Sequence, residues 1–308
     1  MEQRVLALLV LRIILSAIGI AGNTVLIISI LHLSKVKTFE VFLLGLAITN
    51  LEEIVSVEIY DAVVLQSAID ISVWSCSTIK FLASFGEAAS IFFTVLISIF
   101  RYQKLHNAAK RIITPILMDN IISAVCLSLG CIFVSVLVSI PVIIINQSSI
   151  PHIENFTIEN CTTDFFQCSK DYCPTFNNVY KILFIVIVHI LPLLIVTATS
   201  VLIIRILIVQ QNAVDSHHNS DPPALAAYHH HHHHHEHDVF HRSTIGILSA
   251  MTLFQLYCIL YLINQLMFTR YDMPAWSEME FFIATIYTGI IPYIYGTGHN
   301  FFSLKHFM

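Results

Sequence analysis

Acidic side chains stand inside two long apolar stretches of this chain. Glu53, Glu58 and Asp61 interrupt one stretch, and Glu87 interrupts the next. Charge inside a membrane span is costly and usually serves a function. No histidine or cysteine accompanies these carboxylates at the spacing of a metal site or a catalytic triad. We therefore expect binding of a cation or a strong hydrogen-bond donor, with no enzymatic activity, metal or cofactor.

The composition is that of a membrane protein. Of 308 residues, 56% are apolar and 11% are charged, and the mean hydropathy is +0.77. Soluble domains carry roughly 25% charged residues. The net charge of −5 is small and negative, whereas binding to nucleic acid needs a basic surface. Membrane lipid is the expected surrounding of most of the chain.

Seven apolar stretches are each long enough to cross a bilayer as a helix, which takes about 20 residues. They cover approximately residues 5–33, 40–66, 77–101, 116–145, 178–209, 243–268 and 279–298. This pattern predicts an all-α membrane protein, a bundle of seven transmembrane helices in a single domain, residues 1–308. A short amphipathic surface helix is expected at 301–305. Residues 210–241 include seven consecutive histidines and are expected to form a disordered third inner loop.

The second outer loop determines the predicted orientation. Lysines and arginines give only a mild bias toward the inner side. The loop carries three cysteines and three glycosylation sequons, which begin at Asn146, Asn155 and Asn160, and both features need the luminal side. The amino terminus is therefore expected outside. Asn146 stands close to the membrane boundary.

Several motifs resemble those of rhodopsin-like G-protein-coupled receptors. Cys76 begins the third span, and Arg101-Tyr102 ends it at the spacing found in that family. Pro192 matches the proline of the fifth helix, and the seventh span ends in Pro292-x-x-Tyr295. The resemblance covers nearly the whole chain except the histidine tract.

Departures from the family pattern narrow the resemblance. Asn50 replaces the aspartate of the second helix, which argues against regulation by sodium, and Cys258 and Leu260 replace the tryptophan and proline of the sixth helix. This combination is similar to the vomeronasal type-1 receptors and, more closely, to their fish counterparts, the olfactory receptors related to class A. The likeness is carried by residues 100–105, 164–170 and 292–296.

The resemblance implies a chemosensory receptor in the plasma membrane of sensory neurons. It would bind a small odorant or pheromone and activate a heterotrimeric G protein through Arg101, Tyr102 and Tyr295. Phe100 stands where related receptors carry an acid that restrains the arginine, so noticeable basal signalling is expected. The resemblance also implies that Cys76 is bridged to the second outer loop, and we predict Cys168 as its partner.

The expected ligand site follows from helix geometry. Glu87 and Arg101 are fourteen residues apart, close to four helical turns. Since Arg101 must face the bundle to act, Glu87 faces it too. Glu53 and Asp61, about 80° apart around the second helix, are expected to line one wall with Tyr60 beside them. The predicted site also includes these residues: Ala83, Ser84 and His189.

The same residues could also have purely structural roles. Glu87 would then be a protonated carboxyl that only hydrogen-bonds within the bundle. Arg12, at comparable depth on the first helix, would neutralise Glu58 or Glu53. His189, three residues before the fifth-helix proline, is more often a hydrogen-bonded interior group than a ligand contact.

Two rival classes of protein fit the length and hydropathy. Bitter taste receptors have about this length and lack the sixth-helix proline, but their motifs are not seen in the first and seventh spans. A small membrane transporter would need paired half-repeats with broken helices, and no internal symmetry is visible.

Overall fold

A computed structural model describes residues 2–65, 72–110, 120–148, 165–168, 173–218, 226–267 and 276–298. In this part of the chain every regular element is a helix. A helix suits a lipid environment because its backbone N–H and C=O groups are hydrogen-bonded to one another. Helices α1 to α4 cover Glu2–Leu31, Thr38–Tyr60, Val73–Lys110 and Ile121–Ser148. Helix α5 runs through Thr175–Phe184, Ile185–Ile190 and Leu191–His218. Helices α6 and α7 cover Ala226–Met267 and Trp276–Gly298.

Two stretches of π-helix interrupt the regular pattern. Asp61–Leu65 continues α2 past its α-helical end, and Ile185–Ile190 lies within α5. A π turn holds an extra residue and rotates the side chains that follow it, and such turns are frequent at functional sites. One of them contains Asp61 and the other His189, both of which belong to the predicted binding site.

Five helices in the described ranges, α1, α3, α4, α5 and α6, are long and apolar enough to cross a membrane. Helix α2 is not apolar enough by the same measure, because Glu52, Glu53 and Glu58 lie within it. Helix α7 carries two glutamates and three tyrosines, which lower its hydropathy. The outward surfaces are apolar, as lipid contact requires: Ile122 and Phe133 on α4 are 70% and 62% exposed.

Helix α3 lies at the centre of the bundle and packs against α2, α4 and α5. The α2–α3 contact is close because of glycines. A Cβ on Gly86 would lie 2.9 Å from the Cβ of Glu53, and a Cβ on Gly45 would overlap the Phe93 ring. This approach brings the acidic part of α2 beside Glu87 on α3.

Both long helices of the inner side extend into residues 210–241, which were expected to be disordered as a whole. Helix α5 ends at His218 and α6 begins at Ala226, so these parts are helical instead. Once a helix is nucleated, each further residue adds a hydrogen bond at little extra cost. The predicted surface helix at 301–305 lies outside the described residues.

The disulfide prediction needs correction. Cys168 is bonded to Cys173, with 4.3 Å between their Cα atoms, and not to Cys76. Cys76 belongs to a different disulfide. A bridge between residues five apart closes a short loop, which costs less chain entropy than a long one. Cys126, Cys131 and Cys258 are free thiols, as expected for cysteines in apolar spans.

Peptide mapping of the non-reduced protein tests this pairing. Because Asp164 and Asp171 lie on either side of Cys168, cleavage before aspartate with endoproteinase Asp-N should release two peptides, one with Cys168 and one with Cys173, joined by their disulfide. The three free thiols should be alkylated without reduction and serve as the internal control. A peptide that joins Cys76 to Cys168 would restore the original prediction and contradict the structure.

Candidate functional site

A cavity opens among α2, α3, α5, α6 and α7, beneath the described part of the second outer loop. Its empty volume is about 460 Å³, including the space at its open mouth. The lining residues are Glu53, Val57, Ala83, Ser84, Glu87, Phe165, Phe166, Phe184, Tyr261, Glu280, Phe281 and Ala284. Four of the seven predicted site residues are among them: Glu53, Ala83, Ser84 and Glu87.

Glu87 is held by two ring side chains. The Tyr257 hydroxyl donates to Glu87 Oε1 at 2.9 Å, and His189 Nε2 lies 3.3 Å from the same oxygen. The Tyr261 ring stacks on His189 with 3.7 Å between centroids. The Glu87 side chain keeps 19% exposure, while His189 is fully buried. His189 therefore orients the carboxylate from behind, and Glu87 remains accessible from the cavity.

Tyr60 supports the cavity wall from behind. It is completely buried and stacks on Phe165 at 5.1 Å, with Phe281 edge-on at 5.5 Å. Both of those phenylalanines line the cavity. Tyr60, predicted as a site residue, does not line the cavity itself and reaches it only through these two rings.

The predicted wall of Glu53 with Asp61 does not form. Asp61 Oδ2 lies 2.6 Å from Arg12 Nη2, and Glu58 Oε1 lies 3.5 Å from Arg12 Nη1. Ser16 Oγ also donates to Glu58 Oε1 at 2.5 Å. Arg12 is fully buried, so it needs counter-charges, and Asp61 and Glu58, three residues apart on one side of α2, both face it. The alternative in which Arg12 neutralises Glu58 is confirmed.

The loop segment above the cavity is fixed by one asparagine. Lys80 Nζ and Gln167 Nε2 donate to Asn146 Oδ1 at 2.7 and 3.0 Å. Asn146 Nδ2 donates to the carbonyl oxygens of Phe165 and Val142 at 3.2 and 2.8 Å. These bonds join α3, α4 and the outer loop, and they hold Phe165 over the cavity.

Asn146 was also predicted as a glycosylation site, and that prediction is wrong for the folded protein. Its side chain is 6% exposed, and Nδ2, the atom that would carry the glycan, is hydrogen-bonded inside the bundle. The other two predicted sites, Asn155 and Asn160, lie outside the described residues.

Asn50 joins a polar network below the cavity. Ser90 Oγ donates to Asn50 Oδ1 at 2.6 Å, and Asn50 Nδ2 lies 3.5 Å from Asn23 Oδ1. Asn23 Nδ2 donates to the Thr288 carbonyl oxygen at 3.1 Å. The amide of Asn50 thus ties α1, α2, α3 and α7 together without a carboxylate.

The inner end of the bundle gathers two of the three predicted G-protein contacts. Arg101 Cζ lies 3.7 Å from the centroid of the Phe39 ring, which meets Tyr295 edge-on at 6.2 Å. Tyr102 packs instead on His106 of its own helix. Phe100, at 1% exposure, is part of the core beside Phe42.

Sequence reasoning missed several residues of the cavity. Tyr257 and Tyr261 are four residues apart on one face of α6, and that spacing was a usable signal. Glu280 was equally visible, as a carboxylate near the start of an apolar stretch. The positions of Phe165 and Phe166 depend on Asn146, a tertiary contact that the sequence pattern does not reveal.

The fold is an all-helical membrane bundle with a cavity in its interior and Arg101 and Tyr295 at the opposite end. The chain belongs to the 7 transmembrane receptor (rhodopsin family), whose family model matches residues 22–295. This family consists of receptors that in general bind a ligand, couple to a G protein and are not enzymes. Comparison with curated proteins gives no match.

Proposed function

We propose that the protein is a chemosensory receptor of the vomeronasal type-1 or fish class A-related olfactory type. It binds a small odorant or pheromone that carries a cationic or strongly hydrogen-bond-donating group, and it activates a heterotrimeric G protein. Its place is the plasma membrane of a chemosensory neuron, with the amino terminus outside. The observation that carries the ligand class is the accessible Glu87 carboxylate in an aromatic cavity.

The charges around the cavity favour a cation. Its charged lining residues, among those described, are Glu53, Glu87 and Glu280, and no lysine or arginine lines it. Arg12 is engaged by Glu58 and Asp61, and Lys80 Nζ is bonded to Asn146. The aromatic rings add cation–π attraction for an ammonium group. An anionic ligand would meet three acidic lining residues.

A route for signal transmission begins at the same carboxylate. A ligand cation at Glu87 competes with the Tyr257 hydroxyl for Oε1. Tyr257 stacks on Tyr287 of α7 with 4.9 Å between centroids, and the Tyr287 hydroxyl lies 2.5 Å from Thr94 Oγ1 of α3. Helices α3, α6 and α7 therefore share one contact that the ligand disturbs. Their inner ends carry the Arg101 and Tyr295 pair.

A panel of amines and carboxylic acids in a G-protein reporter cell tests the proposal. Replacing Glu87 with glutamine removes the charge, and a charged hydrogen bond contributes about 1.5–3 kcal/mol, so amine potency should fall roughly 10- to 150-fold. Surface expression is matched between variants.

Glu52→Gln is the control, because Glu52 bonds Ser56 on its own helix and does not line the cavity. It should change amine potency by less than about threefold. If acids activate best and Glu87→Gln leaves their potency unchanged, Glu87 is not the anchor. If amines bind without any G-protein response, the receptor assignment fails and transport becomes the better account.

A further inference from the structure

A second acidic group stands in the outer part of the cavity. Glu280, near the start of α7, lines the cavity and accepts a hydrogen bond from Gln265 Nε2 at 3.2 Å. Gln265 lies eight residues beyond Tyr257, the residue that reaches Glu87. At 1.5 Å per residue this places the two contacts on α6 about 12 Å apart along the helix axis. The cavity thus has an inner and an outer acidic end.

We propose that the ligand is a linear molecule with an ammonium group at each end, an α,ω-diamine. One ammonium binds Glu87 and Glu53, and the other binds Glu280. An ammonium group has three donors and no acceptor, which suits a site of oxygens. The methylene chain packs on the rings of Phe281 and Tyr261. This inference rests on the proposed function and names the ligand class of the same site.

The separation of the two ends sets the chain length. Tyr257 and Gln265, which contact the two acidic residues, are about 12 Å apart along α6, and an extended chain of about five to eight carbon atoms with an ammonium at each end fits within that distance. Shorter diamines reach only one end, and longer ones must fold. A maximum of potency within a series of diamines is therefore expected, whereas nonspecific hydrophobic binding would rise steadily with length.

The test compares diamines of three to ten carbons with the matching monoamines in the reporter cell. On the wild type, the best diamine should be at least tenfold more potent than the monoamine of equal length. Glu280→Gln should bring that ratio close to one and leave monoamine potency within about threefold. Glu52→Gln should keep the ratio.

A measurement on the wild-type receptor tests the same inference without depending on whether a variant folds. An ω-amino acid places a carboxylate at the outer acidic end, so it should be weaker than the monoamine of equal length. Equal potency of diamines and monoamines, or a diamine preference that survives Glu280→Gln, would overturn the inference. In that case monoamine activation that depends on Glu87 would leave the proposed function standing. Failure of every amine to activate the wild type would overturn both.

Discussion

Replacing Arg12 with leucine is expected to remove most of the folded receptor from the cell surface. Arg12 is fully buried, and its guanidinium is the facing cation for Asp61 and Glu58. Without it two carboxylates remain close together in an apolar region. Removing one partner of a buried ion pair typically costs about 3–5 kcal/mol, which is a large fraction of the stability of most folded domains.

Compensating substitutions separate charge from packing in this prediction. A triple variant that adds Glu58→Gln and Asp61→Asn to Arg12→Leu removes the stranded charges and should recover much of the surface signal. Arg205→Leu is the matched control, because Arg205 lies on an exposed face of α5. Surface labelling and the thermal stability of detergent-solubilised receptor are the measurements. Wild-type levels of Arg12→Leu would show that the ion cluster does not support the fold.

Gly19→Val is expected to have an effect of similar size, for a steric reason. A Cβ on Gly19 would lie 2.8 Å from the Cα of Gly289, where α1 crosses α7, and 2.9 Å from the Ile54 side chain. Backbone atoms at that distance cannot rotate away, so the helices must separate. Small residues at helix crossings are what permits such close packing in membranes.

The chain provides a matched control for this steric test. A Cβ on Gly130 of α4 would meet no atom within 4 Å. Gly130→Val should therefore leave expression and melting temperature near those of the wild type, while Gly19→Val lowers both. Overpacking costs typically 1–3 kcal/mol and more where backbone is involved. Equal behaviour of the two variants would mean that the α1–α7 crossing is looser than the structure shows.

What the sequence could predict depended on local regularity. Apolar length alone located the helices, since a bilayer leaves few other options. Counting residues from Arg101 placed Glu87 in the interior, because both lie on one uninterrupted α-helix. The same counting did not predict that Asp61 faces α1, because that depends on the buried Arg12, which is paired with Asp61 and Glu58.

Contacts between distant segments were beyond sequence reasoning. The bond from Tyr257 to Glu87 joins residues 170 positions apart. Cys76 had three candidate partners in the outer loop, and spacing alone did not distinguish them. Asn146 matched a glycosylation motif because motifs describe neighbours in the chain, whereas its fate depends on Lys80 and Phe165.

The stacking of Arg101 on Phe39 also limits how low the basal activity of the unliganded receptor can be. A cation–π contact contributes about 0.5–2 kcal/mol, which corresponds to a factor of roughly 2 to 30 between two populations. If the arginine leaves the ring whenever the inner ends of the helices part, this contact favours the resting population by that factor. A ligand binding energy of the same small size is therefore enough to reverse the ratio.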